Sequence, residues 1–191
     1  MLRDLPDDDA ATHIAAEVMS KLWKPLPATH DFPTVADWAE GLQRLRAVHG
    51  GGTGPLPAPL VERAEATYRE LFASAAPPVL LHGDLHHDNI LAATRAPYLA
   101  IDPKGLAGEP AYEVGPFFYN PHPLISQTAD LTPLLGRRLA ILTEHLQMDR
   151  ERLRSCAFAH AVLSSAWSIE DGDQNDGWRM TISVAETLSQ L

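Results

Sequence analysis

From His82 to Asn89 the chain reads His-Gly-Asp-Leu-His-His-Asp-Asn, eight residues with three histidines, two aspartates and one asparagine. The spacing His82-x-Asp84-x-x-x-x-Asn89 is the H-x-D-x-x-x-x-N pattern of a phosphoryl-transfer loop. In that chemistry Asp84 takes the proton of a hydroxyl as its oxygen attacks a γ-phosphate. Asn89, where the chain re-enters a strand, gives Mg²⁺ a neutral oxygen ligand. Asp102, at the end of the following strand, gives the carboxylate that this hard cation favours. His82 is assigned a loop-structuring part, its ring hydrogen-bonding backbone, and Gly83 is the conformationally free residue of the loop.

Each residue alone has a plainer reading. Asp84 and Asp88 suit turns, Asn89 any loop, and Asp102 a strand-end cap. Their joint spacing between apolar runs favours the phosphoryl-transfer set. A rival is a transition-metal site from His82, His86, His87, Asp84 and Asp88, since imidazole suits zinc. Adjacent His86 and His87 point to opposite sides of an extended chain, however, and such a cluster needs distant partners. An activated serine has no nucleophile elbow here.

The elements that must hold these residues are short strands and long helices. Apolar runs Val79-Leu80-Leu81 and Ile90-Leu91-Ala92-Ala93 flank the loop. A polar loop between buried strands is positioned by its flanks and cannot itself form core. Asn89–Ala93 and Tyr98–Ile101, joined by Thr94-Arg-Ala-Pro97, suit a small hairpin. Upstream, helices are expected over Ala10–Trp23, from Thr34 with Asp37 three residues on, and over Pro59–Ala75. Gly50-Gly-Gly-Thr-Gly54 lacks a preceding strand and a following Gly-Lys-Ser/Thr, so it reads as a connection rather than a phosphate loop. Downstream, Pro110 marks a helix start and Pro121-His-Pro123 a break. Helices follow over Thr132–Met148, Asp149–Ile169 and Trp178–Leu188. The fold class is α+β, mainly α: a helical bundle with a small β-hairpin carrying the catalytic loop.

The 191 residues suit one domain, long enough to bury about 70% of its unfolded surface. The formal charge of −10 argues against nucleic acid, whose binding depends on basic groups. No apolar run reaches membrane-spanning length, and the N-terminus lacks signal-peptide character. A single cysteine, Cys156, fits a reducing cytoplasm. Glu170, Asp171, Asp173 and Asp176 form an acidic stretch that suits a cationic small molecule, with a solvated turn as the plain alternative.

Two blocks, His82–Leu91 and Ala100-Ile-Asp-Pro-Lys-Gly-Leu-Ala-Gly-Glu-Pro-Ala-Tyr-Glu-Val114, resemble the aminoglycoside and hydroxyurea phosphotransferase family. The resemblance implies the C-terminal lobe of a protein-kinase-like fold and transfer of the γ-phosphate of ATP to a small-molecule hydroxyl. It implies Asp84 as base and Asn89 and Asp102 as Mg²⁺ ligands. It also implies an aminoglycoside such as streptomycin, or a hydroxyurea-like molecule, as substrate. Residues 80–91 are then the catalytic loop, 100–108 the metal loop and 109–191 the helical substrate region of one lobe. Few residues separate Asp102 from Pro110, so no regulatory activation loop is expected. The three lysines, Lys21, Lys24 and Lys104, include none on a candidate nucleotide-lobe strand. The nucleotide-binding lobe is therefore expected to be absent from this sequence. The alternatives that follow are an inactive binding remnant, or half of a split kinase completed by a separately encoded lobe; the face left exposed by the missing lobe also favours a homo-oligomer.

Overall fold

Side-chain caps start the long helices. In the computed structural model, which describes residues 1–173 and 176–191, α1 (Asp8–Leu22) begins where Asp7 accepts the N–H groups of Asp9 and Ala10. Helix α2 (Val35–Val48) opens on a capping box: Thr34 accepts the Asp37 N–H, and the Asp37 carboxylate accepts the Thr34 N–H at 2.7 Å. These bonds satisfy N–H groups that a helix start leaves without partners. Helix α3 (Ala58–Ala73) follows the glycine-rich connection.

The hairpin forms as the sequence predicts. Strands β3 (Ile90–Ala92) and β4 (Tyr98–Ala100) pair antiparallel, with Leu91 opposite Leu99; they are numbered after β1 and β2 of a second sheet. That second sheet is not foreseen. It has the order β1 (Lys24–Pro25), β2 (Val79–Leu81), β5 (Leu106–Gly108), both pairings antiparallel. Its outer strands carry no readable period: one is a two-residue Lys-Pro edge, the other a wholly buried Leu-Ala-Gly. Gly108 fits because a Cβ there would lie 2.5 Å from Val35 Cγ2. The His82–Asn89 loop thus spans from the three-stranded sheet to the hairpin.

Downstream, a short 3₁₀ turn at Pro110–Val114 leads into α4 (Gly115–Phe118), and α5 (His122–Gln127) follows a cis Asn120–Pro121 bond. Helices α6 (Thr132–Leu146), α7 (Arg150–Glu170) and α8 (Gly177–Leu188) complete the body. Helix α7 is central: it packs against α2, α3, α4, α6 and α8 and is buried on nearly every side. Arg138 of α6, with no exposed surface, ties this body to the N-terminus. Its guanidinium donates twice to Asp8, at 2.6 and 3.0 Å, and also to the carbonyls of Phe117 and Asn120. Among the described residues, no helix is long and apolar enough to cross a membrane.

Candidate active site

The base of the His82–Asn89 loop is fixed by backbone bonds to one buried side chain. Glu113, 1% exposed in the 3₁₀ turn, accepts the His82 N–H at 2.7 Å and the Gly83 N–H at 2.9 Å. Burial pushes its carboxyl up to about 7, against the two N–H bonds that favour the ionised form. Gly83 has φ +83°, and a Cβ there would lie 3.1 Å from Trp38 Cη2 and 3.2 Å from Leu106 Cβ. Both the backbone angle and the close approach require glycine. The His82 ring accepts the Asp84 N–H on Nδ1 at 3.2 Å, which places the ring proton on Nε2, 2.8 Å from the Ile101 carbonyl. Burial lowers the pKa of this imidazole.

Around this base the structure brings Asp84, Asn89 and Asp102 to one side. Asn89 donates its amide N–H to the Asp84 carbonyl at 2.8 Å, so its Oδ1 is the atom left for a ligand. The Ile101 N–H bonds the Asn89 carbonyl at 3.0 Å and carries the hairpin ladder to the loop, so Asp102 follows directly beside Asn89. Asp102 holds φ +58°, a left-handed conformation that costs a non-glycine residue roughly 1 kcal/mol. Strain of this kind persists where surrounding structure enforces it, often at sites of function. The Asp84 carboxylate is 32% exposed and, among the described residues, has no basic group closer than 3.7 Å. Those at that distance are the His86 imidazole, through Nε2, and the Lys104 ammonium. Lys104 Nζ also lies 3.1 Å from Asp102 Oδ2.

The remaining loop residues are placed elsewhere. His87 is buried, stacked on Phe117 at 4.2 Å between ring centroids, with Arg138 Nη2 3.4 Å from its Nε2. Burial and the Arg138 charge push its imidazole down to about 2. Asp88 pairs with Arg3 at 2.8 Å. His86 faces Asp84 and Asp88, and burial lowers its pKa. No group of three or more His, Cys, Asp or Glu arranged to hold a metal occurs among the described residues. The zinc alternative therefore has no assembled site. A magnesium ion asks for less: one or two protein oxygens, with phosphates and water completing its shell. Asn89 Oδ1 and the Asp102 carboxylate fit that demand, and the Lys104 ammonium stands 3.1 Å from Asp102 and 3.7 Å from Asp84.

The acidic stretch lies apart from this face. Glu170 forms a two-pronged pair with Arg44, at 2.8 and 3.3 Å. Arg44 stands six residues, about 9 Å, further along α2 than the Trp38 that touches Gly83. Asp176 accepts from Arg179 and from the Trp178 indole, both at 3.1 Å, and these bonds hold its carboxyl below the usual range. Asp173 accepts the Gly177 N–H at 2.8 Å, and Asp171 is an exposed residue at the end of α7. The turn between Asp173 and Asp176 lies outside the described residues.

Sequence reasoning passed over Glu113 and gave Lys104 no role. A signal for Glu113 exists: it is the one carboxylate in the apolar run Ala111-Tyr-Glu-Val-Gly-Pro-Phe-Phe118, where an acid has to be paired. Lys104 has no such signal, because two carboxylates meet at it only through folding.

The architecture is that of small-molecule kinases. A choline kinase from Streptococcus pneumoniae superposes with a TM-score of 0.61 at 13% identity, covering 96% of this chain and 63% of that one. The chain belongs to the aminoglycoside/hydroxyurea antibiotic resistance kinase family, which it matches over residues 1–172. It is 31% identical to streptomycin 6-kinase of Streptomyces griseus over 181 residues, 90% of this chain and 55% of that protein. It is 35% identical to hydroxyurea phosphotransferase of Kitasatospora aureofaciens over 159 residues, 78% of this chain and 44% of that protein. The chain thus spans about half the length of the curated relatives it matches.

Proposed function

We propose that this chain provides the catalytic and metal-holding lobe of an ATP-dependent phosphotransferase that modifies a hydroxyl of a small molecule, with streptomycin as the first acceptor to test. The observation that carries this reading is the convergence of Asp84, Asn89 and Asp102 on one face, with a cation already resting between the two carboxylates. The names of the two relatives support the acceptor class, one acting on streptomycin and one on hydroxyurea.

In this reading Asp84 is the general base. It is 32% exposed and its nearest basic groups among the described residues stand 3.7 Å away, which leaves its oxygens open to the acceptor hydroxyl. Asn89 Oδ1 and Asp102 would hold Mg²⁺, which when bound offsets the charge of the transferring phosphate. Glu113 and His82 position the base by holding both ends of the His82–Asp84 backbone. A general base contributes about 10²–10⁴-fold, and the remainder of the rate comes from holding hydroxyl and phosphate together. The cover over the nucleotide phosphates is assigned to sequence outside these 191 residues, supplied by the same or a separate chain.

The test is transfer of label from γ-³²P-ATP to streptomycin by the chain, run beside calorimetric titration of the drug. Label in streptomycin supports the reading. Drug binding with no transfer, even after the nucleotide-covering half of a relative is added in trans, identifies a binding remnant and overturns it.

A further inference from the structure

We propose that Lys104 is a catalytic cation of this site: its ammonium neutralises Asp84 and Asp102 while no metal is bound, and contacts the transferring phosphoryl oxygens once a divalent cation takes over Asp102. This rests on the phosphotransferase reading above.

Among the described residues, Lys104 is the single Lys or Arg within 4.0 Å of either carboxylate, at 3.1 Å from Asp102 and 3.7 Å from Asp84. Its stem is anchored to the loop it serves, because its backbone N–H donates to the His82 carbonyl at 2.8 Å. Its Cβ lies 3.6 Å from where a Cβ on Gly83 would stand. The side chain itself is 46% exposed, so four flexible carbons can move the ammonium over several ångströms without disturbing packing.

Charge explains why such a residue is needed. A phosphoryl group approaching the Asp84 carboxylate brings negative charge toward negative charge. A metal held by Asn89 and Asp102 would offset part of that charge, and the Lys104 ammonium, near both Asp102 and Asp84, offsets it where the new bond forms. With both carboxylates and the lysine alone the local charge is −1; a bound divalent cation makes it +1, which receives an anion. In the transfer, the acceptor oxygen forms the new O–P bond and its proton passes to Asp84. The bridging P–O bond breaks with its electron pair remaining on the leaving diphosphate. Lys104 keeps its protons throughout and serves by charge alone. Stabilisation of this kind, present only as charge develops, lowers kcat when removed and leaves acceptor binding largely intact.

The experiment compares the 191-residue chain with its Lys104→Met, Lys104→Arg and Asp102→Asn variants by electron paramagnetic resonance titration with Mn²⁺, and by kcat and KM for acceptor phosphorylation. Removing the competing ammonium in Lys104→Met tightens Mn²⁺ by about five-fold, the worth of one charge near 4 Å in water. The same variant loses about 10²-fold in kcat with the acceptor KM nearly unchanged, and Lys104→Arg recovers part of it. Unchanged Mn²⁺ affinity in Lys104→Met overturns the resting role, and unchanged kcat overturns the phosphoryl contact. Asp102→Asn separates the two readings: if it leaves Mn²⁺ binding intact, the metal site assigned to the phosphotransferase is wrong. A wild-type chain that binds Mn²⁺ through Asp102 but transfers nothing, even with the nucleotide-covering half of a relative added in trans, overturns the phosphotransferase and the phosphoryl contact together. The Mn²⁺ titration then decides the counter-ion role alone.

Discussion

In the stretch from Glu170 to Asp176, Glu170 is gripped by both prongs of Arg44, and Asp176 by Arg179 and Trp178. In the His82–Asn89 loop, Asp84 has no basic group closer than 3.7 Å among the described residues and shares one exposed lysine with Asp102. In sequence the acidic turn is the richer of the two, with four carboxylates in seven residues. In space most of its charge is committed to partners within the chain, whereas the poorer cluster keeps its oxygens available. A carboxylate's use therefore depends less on how many acids stand near it than on which donors have already claimed it.

The largest expected effect tests that contrast directly. Asp84→Asn lowers the rate of phosphoryl transfer by about 10²–10⁴-fold, because the amide cannot take the hydroxyl proton. Since the ionic contacts of this carboxylate among the described residues are long, at 3.7 Å, and partly exposed, the thermal unfolding midpoint moves by less than about 3 °C. Initial-rate kinetics beside a calorimetric melt check both. A variant that is inactive because it has unfolded would show Asp84 to be structural and would erase the difference between the two clusters.

Glu113 sharpens the comparison from the same face, as a carboxylate wholly used in holding backbone. Glu113→Ala leaves two buried N–H groups without partners and costs about 2–6 kcal/mol, read as a fall in the urea midpoint. The pH dependence has a definite sign. The folded pKa of about 7 lies above the ordinary 4.5, so its contribution is present below pH 4.5 and lost as pH rises through 7. Glu113→Gln removes this dependence. A urea series on Glu113→Ala with a loss under about 1 kcal/mol would mean that water replaces the carboxylate.

The helices, their caps and the hairpin were legible in the sequence because each is a local pattern. Asp149 caps α7, and Thr34 with Asp37 forms the box of α2, where the residue types place them. The three-stranded sheet was not legible, because Lys24–Pro25 and Leu106–Gly108 are strands only through pairing with Val79–Leu81. The same limit applies at the site. The spacing from His82 to Asn89 names candidate residues, but the grip of Glu113 spans about thirty positions and the Glu170–Arg44 pair far more. Sequence reports which acids are close along the chain, and these long-range bonds decide which remain free.

Within the loop, His86 and His87 repeat the contrast on a smaller scale. His87 is shut between Phe117 and Arg138, with its folded pKa at about 2 against 6.5 in the open chain. Unfolding exposes it to protonation, so its contribution is present above pH 6.5 and is lost as pH falls, at about 1.4 kcal/mol per unit for one proton. Buried His160, with a folded pKa of about 4, acts in the same direction. His87→Phe keeps an aromatic stack on Phe117 and removes one titrating group. Urea unfolding of both proteins at pH 5 and 6.5 should give a shallower dependence for the variant. Equal slopes would mean that His87 is protonated in the folded chain.

The smallest expected effect lies in the acidic turn. Glu170→Gln breaks the two-pronged pair with Arg44, both side chains being close to half exposed, at 41% and 47%. Exposed pairs of this kind are worth under about 1 kcal/mol, so stability changes little. Because Glu170 is already neutralised and stands beyond Trp38 along α2, the KM for streptomycin should change by less than about two-fold. Arg44→Gln is the informative counterpart: it frees the Glu170 carboxylate while leaving it in place. If the turn were a cation site held shut by its own arginines, Arg44→Gln would lower the KM for a cationic acceptor and Glu170→Gln would raise it. Two near-neutral variants would leave substrate charge to be met at the face that carries Asp84.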